Sequence, residues 1–440
     1  MSAILSAFKD VDLRKKILFT IAMIILYRIG AQIPSPGINY ASISGRLREL
    51  TQDQSSVYSL INLFSGGALL QLSIFAIGIM PYITASIIVQ LLTVVIPHFE
   101  ELKKEGQSGQ TKMTQYTRYL TVGLALLQAS GIVALADRGQ LLGGGVEVLK
   151  HDRNIFDLVV LVLSMTAGAV LVMWIGEMMT EKGIGNGMSL LIFAGIATRL
   201  PTDGISILTR SGGVVFAAVM AAVVILVVGV VFIEQGQRRI PVQYAKRMVG
   251  RRQYGGTSTY LPLKVNQAGV IPVIFASSLI YVPVLITQIV QSGSTQPSDN
   301  WWQRNVIQYL QTPSSWQYIV LYFVLIIFFS YFYVSVQYDP NEQADNMKKY
   351  GGFIPGIRPG RPTAQYLGYV MNRLLFVGAL YLGVIAVLPN IMLELGVSAS
   401  SSSSTPFGGT AILILVSVAL TTVKQIESQL LQSNYEGFLK

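Results

Sequence analysis

Histidine and cysteine, the residue types that most often perform catalysis or bind metals, are nearly absent from this sequence. The chain of 440 residues has no cysteine and two histidines, His98 and His151. Cysteine nucleophiles, disulfides and thiolate metal sites are therefore excluded, and no H-E-x-x-H zinc motif occurs. The glycine-rich segments near Gly106 and Gly183 lack the spacing and the preceding strand of a phosphate-binding loop. We therefore predict no enzymatic activity, no metal and no other cofactor.

Positive charge is concentrated in two long hydrophilic segments. The chain has 32 Lys and Arg residues against 22 Asp and Glu residues. Segment 234–267 contains the pairs Arg238-Arg239 and Arg251-Arg252, and segment 338–371 contains Arg358 inside a run rich in proline and glycine. Such clusters can bind an anionic partner such as nucleic acid, or they can simply mark the cytoplasmic side of a membrane. Composition leaves both interpretations open.

Isoleucine recurs beside small and weakly polar residues in several apolar runs. Ile79 and Ile83 are four residues apart, which places them on one face of a helix, and a similar run surrounds Ile274. Close packing of helices is a sufficient explanation, because small residues let helix backbones approach each other.

The elements that position these residues are predicted to be membrane-spanning helices. Hydrophobic residues make up 52% of the chain and charged residues 12%, whereas soluble domains contain about 25% charged residues. A helix needs about 20 apolar residues to cross a bilayer. Ten such runs are present, at 17–34, 74–97, 117–136, 155–175, 187–199, 214–233, 268–290, 316–337, 372–389 and 407–423. We predict an all-α polytopic membrane protein with ten transmembrane helices.

The distribution of Lys and Arg predicts the orientation of these helices. Most of the 32 basic residues lie in alternate connections, which places the N-terminus and, with an even number of spans, the C-terminus in the cytoplasm. The first run lacks a cleavage pattern and is predicted to be retained. We predict an N-terminal half, 1–200, an external hinge, 201–213, and a C-terminal half, 214–440, of opposite topology. An ion-coupled transporter is disfavoured because Arg28 and Asp157 lie near the ends of spans rather than at their centres.

Seven short segments provide a more specific signal. They are residues 62–68, 78–83, 115–119, 181–187, 236–239, 261–266 and 353–360. In this order they resemble the SecY family of protein translocase channels, over most of the chain. The resemblance implies two inverted five-helix halves around an hourglass pore in the bacterial cell membrane. It also implies a channel that passes unfolded secretory polypeptides and releases transmembrane segments sideways into lipid.

The resemblance also implies roles for individual residues. A pore ring would consist of Ile79, Ile83, Met188, Ile192, Ile274 and Ile414. A plug at 62–72 would include Asn62, Phe64, Ser65, Gly66 and Gly67, and it explains why the second apolar run is overlong. Asn62 and Asn186 would hold the plug or would simply cap helices. A lateral gate would be lined by Thr84, Ser86, Gln90, Ser278 and Val282.

The partners implied by the resemblance are mostly proteins. Arg238, Arg239, Arg251, Arg252 and Arg358 would dock the SecA ATPase and the ribosome. The small membrane subunits SecE and SecG would accompany the channel, with SecDF and YidC as accessory proteins. Polypeptides with a signal peptide would be the substrates, and the lipid bilayer would surround the complex. Energy would then come from the partners, since the chain has no nucleotide-binding motif.

Overall fold

The fold is almost entirely helical. The computed structural model describes residues 10–38, 66–69, 71–137, 149, 154–244, 247–249, 252–254, 258–291, 310, 315–394 and 409–437. The helices are α1 (Val11–Gln32), α2 (Met80–Val95), α3 (Pro97–Lys104), α4 (Gln107–Asp137), α5 (Ile155–Lys182), α6 (Gly187–Gln235), α7 (Ile271–Gln291), α8 (Trp316–Gln337), α9 (Pro340–Lys349), α10 (Arg361–Glu394) and α11 (Gly409–Gly437). The strands are β1 (Gln237–Tyr244), β2 (Arg247–Val249), β3 (Arg252–Tyr254), β4 (Ser258–Lys264) and β5 (Gly352–Phe353).

The chain is a multi-pass membrane protein. Six helical stretches of the described residues are long and apolar enough to cross a bilayer, or seven if the pair α2 and α3, bent by 99°, counts as one span. Shorter apolar helices cover Gly187–Pro201 and Ile271–Ile280. Each predicted span coincides at least partly with a helix. The structure is therefore consistent with ten spans, although it does not fix that number.

The outer surface of the helices is apolar, as lipid requires. Ile155 and Phe232 expose more than four-fifths of their area, and Val224, Ile225 and Val228 of α6 are also exposed. Apolar surface on this scale would promote aggregation in water, but it is compatible with contact with the hydrocarbon chains of lipid. A single large hydrophobic core, drawn from most of the helices, occupies the interior.

One predicted boundary was wrong. The second span begins as a helix at Met80, not at residue 74, because the preceding residues form turns in which Leu72 and Gly78 have positive φ angles of 45° and 62°. The predicted external hinge, 201–213, lies within α6, which is 49 residues long. Pro201 lies inside α6, and a proline can be accommodated there by a local bend. The division of the chain into two halves stays a prediction.

The two long basic segments are joined in one sheet, which sequence reasoning did not anticipate. β1 pairs with β4 from Gln237 to Gln243 and with β5 at Gln243 and Tyr244, so the order is β4-β1-β5. β2 and β3 form a second antiparallel pair. Ile240 of β1 and Leu263 of β4 are buried in a core with Ile354, Leu367 and Met371. Burying each such side chain contributes about 1.5–3 kcal/mol, so the sheet is anchored to the ends of α8 and α10.

Candidate functional site

The six predicted ring residues belong to one continuous hydrophobic core. Ile79 and Ile83 lie at the start of α2, Met188 and Ile192 in the first two turns of α6, Ile274 in α7 and Ile414 in α11. All five isoleucines are buried, and Met188 is half-buried and packs against the same core. Residues from four separate parts of the chain are thus brought into one apolar cluster. Their role as a pore constriction stays a prediction.

Local contacts fix the side chain of Met188 at the start of α6. Asn186 Oδ1 accepts hydrogen bonds from the backbone N–H groups of Met188 (3.0 Å) and Ser189 (3.3 Å), which is the usual interaction of a helix N-cap. The exposed Asn186 side chain is therefore a cap, one of the two roles left open for it. On the adjacent helix, a side chain on Gly176 would overlap Met188 Sδ. The glycine leaves the space that this methionine occupies.

The predicted plug is described only in part. Asn62, Phe64 and Ser65 lie outside the described residues, whereas Gly66 and Gly67 form a turn with φ angles of 64° and 93°. Glycine adopts such positive φ angles readily. The Gly66 carbonyl accepts a hydrogen bond from Arg28 Nη1 (3.1 Å). A Cβ on Gly66 would lie 2.8 Å from Gly195 Cα in α6, which is closer than real atoms approach.

Two contacting helices contain the predicted gate residues. Thr84, Ser86 and Gln90 are on α2, and Ser278 and Val282 are on α7. α7 packs against both α2 and α4. The Thr84 hydroxyl donates to the Met80 carbonyl of its own helix (3.0 Å), and the buried Ser278 hydroxyl has no hydrogen-bond partner among the described residues. The side chain of Val282 lies outside those residues. Neither of these two hydroxyls links α2 to α7 among the described residues.

Three of the predicted partner-binding arginines have exposed side chains. Arg238 and Arg239 are on β1, where the guanidinium of Arg239 lies 4.9 Å from the centroid of the Tyr260 ring. Arg358 lies in the loop between β5 and α10. The shared sheet therefore connects the two basic segments physically. Arg251 and the side chain of Arg252 lie outside the described residues.

Sequence reasoning missed two polar contacts between helices. Arg118 of α4 and Glu177 of α5 form a double hydrogen bond, with Nη2 of Arg118 2.8 Å from Oε2 of Glu177. Glu234, at the end of α6, accepts hydrogen bonds from Asn266 Nδ2 (2.9 Å) and Ser417 Oγ (2.8 Å). Neither acid belongs to a recognisable motif. An isolated Glu within an apolar run is the signal that could have identified both.

Within the described ranges, no group of three or more His, Cys, Asp or Glu side chains is placed to hold a metal ion. The candidate site combines an apolar cluster with a basic sheet. Narrow apolar constrictions resist wetting, so such a cluster can separate two aqueous spaces without any fixed charge.

Comparisons with known proteins agree on one family. The SecY family model matches residues 73–423. A protein translocase subunit SecY from Corynebacterium glutamicum is 86% identical over 440 residues, which cover 100% of both chains. A solved protein-conducting channel has a TM-score of 0.65 at 18% identity, covering 93% of this chain and 91% of its own. Sec61 in a canine ribosome-channel complex has a TM-score of 0.61 at 18% identity, with the same coverage.

Proposed function

The chain belongs to the SecY family, and we propose that it is the central protein-conducting channel of a Sec translocon. In that role it passes unfolded secretory polypeptides across the bacterial cell membrane and releases transmembrane segments into lipid. The observation that supports this most directly is the convergence of the six apolar ring residues in one core. Aliphatic side chains can part around an extended polypeptide and close again afterwards, and they bind no particular sequence.

The proposed gate follows from the contact of α7 with α2 and α4. A transmembrane segment must leave the channel sideways into the bilayer. Two neighbouring helices therefore have to separate while the other helices keep their contacts. Hydrogen bonds between membrane helices contribute only about 0.6 kcal/mol on average, and Ser278 makes none with the described residues. A seam of this kind can open when a signal peptide supplies replacement apolar contacts.

Partners supply the energy in this proposal. The exposed Arg238 and Arg239 provide a surface for ribosomal RNA, whose binding weakens with rising salt; the related canine channel is itself bound to a ribosome. We assign Arg358 to the SecA ATPase. SecE and SecG are the expected small subunits, SecDF and YidC are accessory proteins, and both termini lie in the cytoplasm.

Reconstitution tests this function directly. The purified chain with its SecE and SecG subunits is placed in liposomes, and a signal-bearing precursor is added with SecA and ATP. We expect the precursor to become protected from external protease, and we expect no protection when ATP or SecA is omitted. Binding of a small solute, with no protected precursor in the complete system, would favour an ion-coupled transporter instead.

Polar substitution of the ring is expected to make the idle channel leak. Ile83→Asn together with Ile414→Asn places two amides in an apolar core, at a cost of about 1–3 kcal/mol each. If the closed channel is destabilised relative to the open channel by about 2 kcal/mol, the fraction of open channels rises roughly thirtyfold. Single-channel recording without substrate measures this. Conductance equal to the parent's would count against the ring, and Ile155→Asn on the exposed surface is the control.

The plug assignment is tested by two neighbouring glycines. Gly66→Ala introduces a Cβ 2.7 Å from Arg28 Nη1 and 2.8 Å from Gly195 Cα, whereas Gly67→Ala meets no described atom within 4 Å. Both variants incur the strain of a backbone with positive φ, so the comparison isolates the contacts of Gly66 with Arg28 and α6. Overpacking of this kind costs about 1–3 kcal/mol, and we expect Gly66→Ala to raise the idle conductance roughly tenfold over Gly67→Ala. Equal conductance of the two variants would contradict the assignment.

A further inference from the structure

A buried carboxylate joins three separate parts of the molecule. Glu234 is 8% exposed, and its two hydrogen-bond donors, Asn266 and Ser417, are 3% and 4% exposed. Oε2 of Glu234 accepts from Asn266 Nδ2 at 2.9 Å, and Oε1 accepts from Ser417 Oγ at 2.8 Å. Asn266 Nδ2 also lies 3.3 Å from the Gly269 carbonyl. Both donors to the acid are neutral side chains, and each of its two oxygens accepts one of these hydrogen bonds.

This cluster lies at the base of the cytoplasmic hairpin. Glu234 stands two residues before Gly236, where α6 ends and β1 begins, and Asn266 stands two residues after β4 ends. The backbone N–H of Val265 donates to the Gly236 carbonyl at 3.0 Å and closes the hairpin there. A side chain on Gly378 of α10 would overlap the Val265 carbonyl, so the base is also held tightly against α10. A displacement of β1 and β4 therefore moves Asn266, one of the two hydrogen-bond partners of Glu234.

The same cluster lies next to two of the proposed ring residues. Ser417 follows Ile414 by three residues, less than one turn of α11. Gly269 precedes α7, and Ile274 lies in the first turn of that helix. Glu234 therefore connects the hairpin base to the two helices that provide Ile274 and Ile414. Burying a polar group without its hydrogen bonds is unfavourable, so the loss of either donor destabilises this arrangement.

We propose that Glu234 is a positioning residue that couples partner docking on the cytoplasmic hairpin to the closure of the pore. In the idle channel its two hydrogen bonds hold α7 and α11 together. A partner that binds β1 and β4 shifts Asn266 relative to Ser417, weakens the pair of bonds and favours parting of the ring. This inference depends on the proposed channel function, but no part of that function requires Glu234.

Ser417→Ala is the direct test, because it removes the link to α11 and leaves the acid in place. The matched control is Ser330→Ala, since Ser330 is fully buried in α8 but its hydroxyl donates only to the Ile326 carbonyl of its own helix (2.7 Å). Both variants are reconstituted with SecE and SecG. We measure idle conductance, SecA-driven translocation and SecA affinity for each.

We expect Ser417→Ala to raise the idle open fraction about tenfold, which corresponds to about 1.4 kcal/mol, while Ser330→Ala leaves it unchanged. The ratio of SecA-stimulated to idle conductance should fall about tenfold, because part of the closure is already lost before SecA binds. SecA affinity should rise by up to the same factor, since the coupling between docking and pore opening is reciprocal. Ser417→Thr keeps the hydroxyl and should restore the parent's ratio.

Glu234→Gln serves as the second variant if Ser417→Ala does not fold, because it keeps the size of the side chain and one acceptor oxygen. It should change the conductance ratio in the same direction. Idle conductance equal to the parent's in both folded variants, or a change in SecA affinity with the ratio preserved, would overturn the proposal. Failure of the parent channel to protect a precursor would instead contradict the proposed function.

Discussion

Arg358→Glu is expected to abolish SecA-driven translocation while leaving membrane insertion by the ribosome-dependent route intact. The side chain is exposed and stands between the buried Ile354 and α10. Gly356 and Gly360 flank it with φ angles of 83° and 105°, conformations that glycine adopts readily. The Thr363 hydroxyl donates to the Arg358 carbonyl at 2.9 Å. These contacts hold the loop in one conformation. A residue that docks a partner needs such a fixed conformation, whereas a basic residue that only marks one side of the membrane does not.

The size of this effect follows from charge reversal at a contact. Removing one partner of a hydrogen-bonded charge pair at an interface costs about 2–5 kcal/mol, and a loss of about 3 kcal/mol lowers the rate roughly a hundredfold. Export of a precursor into inverted vesicles measures it. Arg361→Glu makes the same charge change on an exposed residue at the start of α10 and should retain most of the activity. Undiminished export by Arg358→Glu would refute the assignment.

A covalent link across the proposed gate is expected to stop signal-peptide engagement. The chain contains no cysteine, so Ser86→Cys and Ser278→Cys introduce its only thiols. These residues lie on α2 and α7, which contact each other. A short thiol-reactive crosslinker would hold the helices together and prevent the opening through which a transmembrane segment leaves.

The controls for the gate experiment separate blockage from damage. Each single-cysteine variant treated with the same reagent, and the untreated double variant, should translocate at close to the parent's rate. A crosslinker with a long flexible spacer should permit activity that the short reagent blocks. A double variant that is fully crosslinked by the short reagent and still translocates would remove the gate from this seam.

The membrane-spanning helices and the family could both be inferred from the sequence. The helices follow from local composition, and the family follows from short segments in a particular order along the chain. Apolar runs must be helical in lipid, where every backbone polar group needs an internal partner. Boundaries were less predictable. The start of α2 at Met80 depends on turns around Gly78, and the helical conformation of 201–213 depends on Pro201 being accommodated rather than ending the helix.

The sheet and the buried acid could not be predicted because each depends on contacts between distant parts of the chain. The alternation of buried Ile240 and Val242 in β1 was a weak strand signal, but the pairing of Gln243 with Phe353 spans the two basic segments. Glu234 was visible as a lone acid among basic residues. Its bonds to Asn266 and Ser417 appear only when α6, α7 and α11 are assembled.

The pairing of β5 with β1 has a consequence for biosynthesis. β1 and β4 are translated before α7 and α8, whereas β5 follows α9. The nascent chain therefore cannot complete this sheet until the eighth predicted span has left the ribosome and Phe353 can reach Gln243. A partly synthesised subunit has an incomplete sheet, so a new copy gains the full proposed docking surface only when most of its apolar spans have already been synthesised.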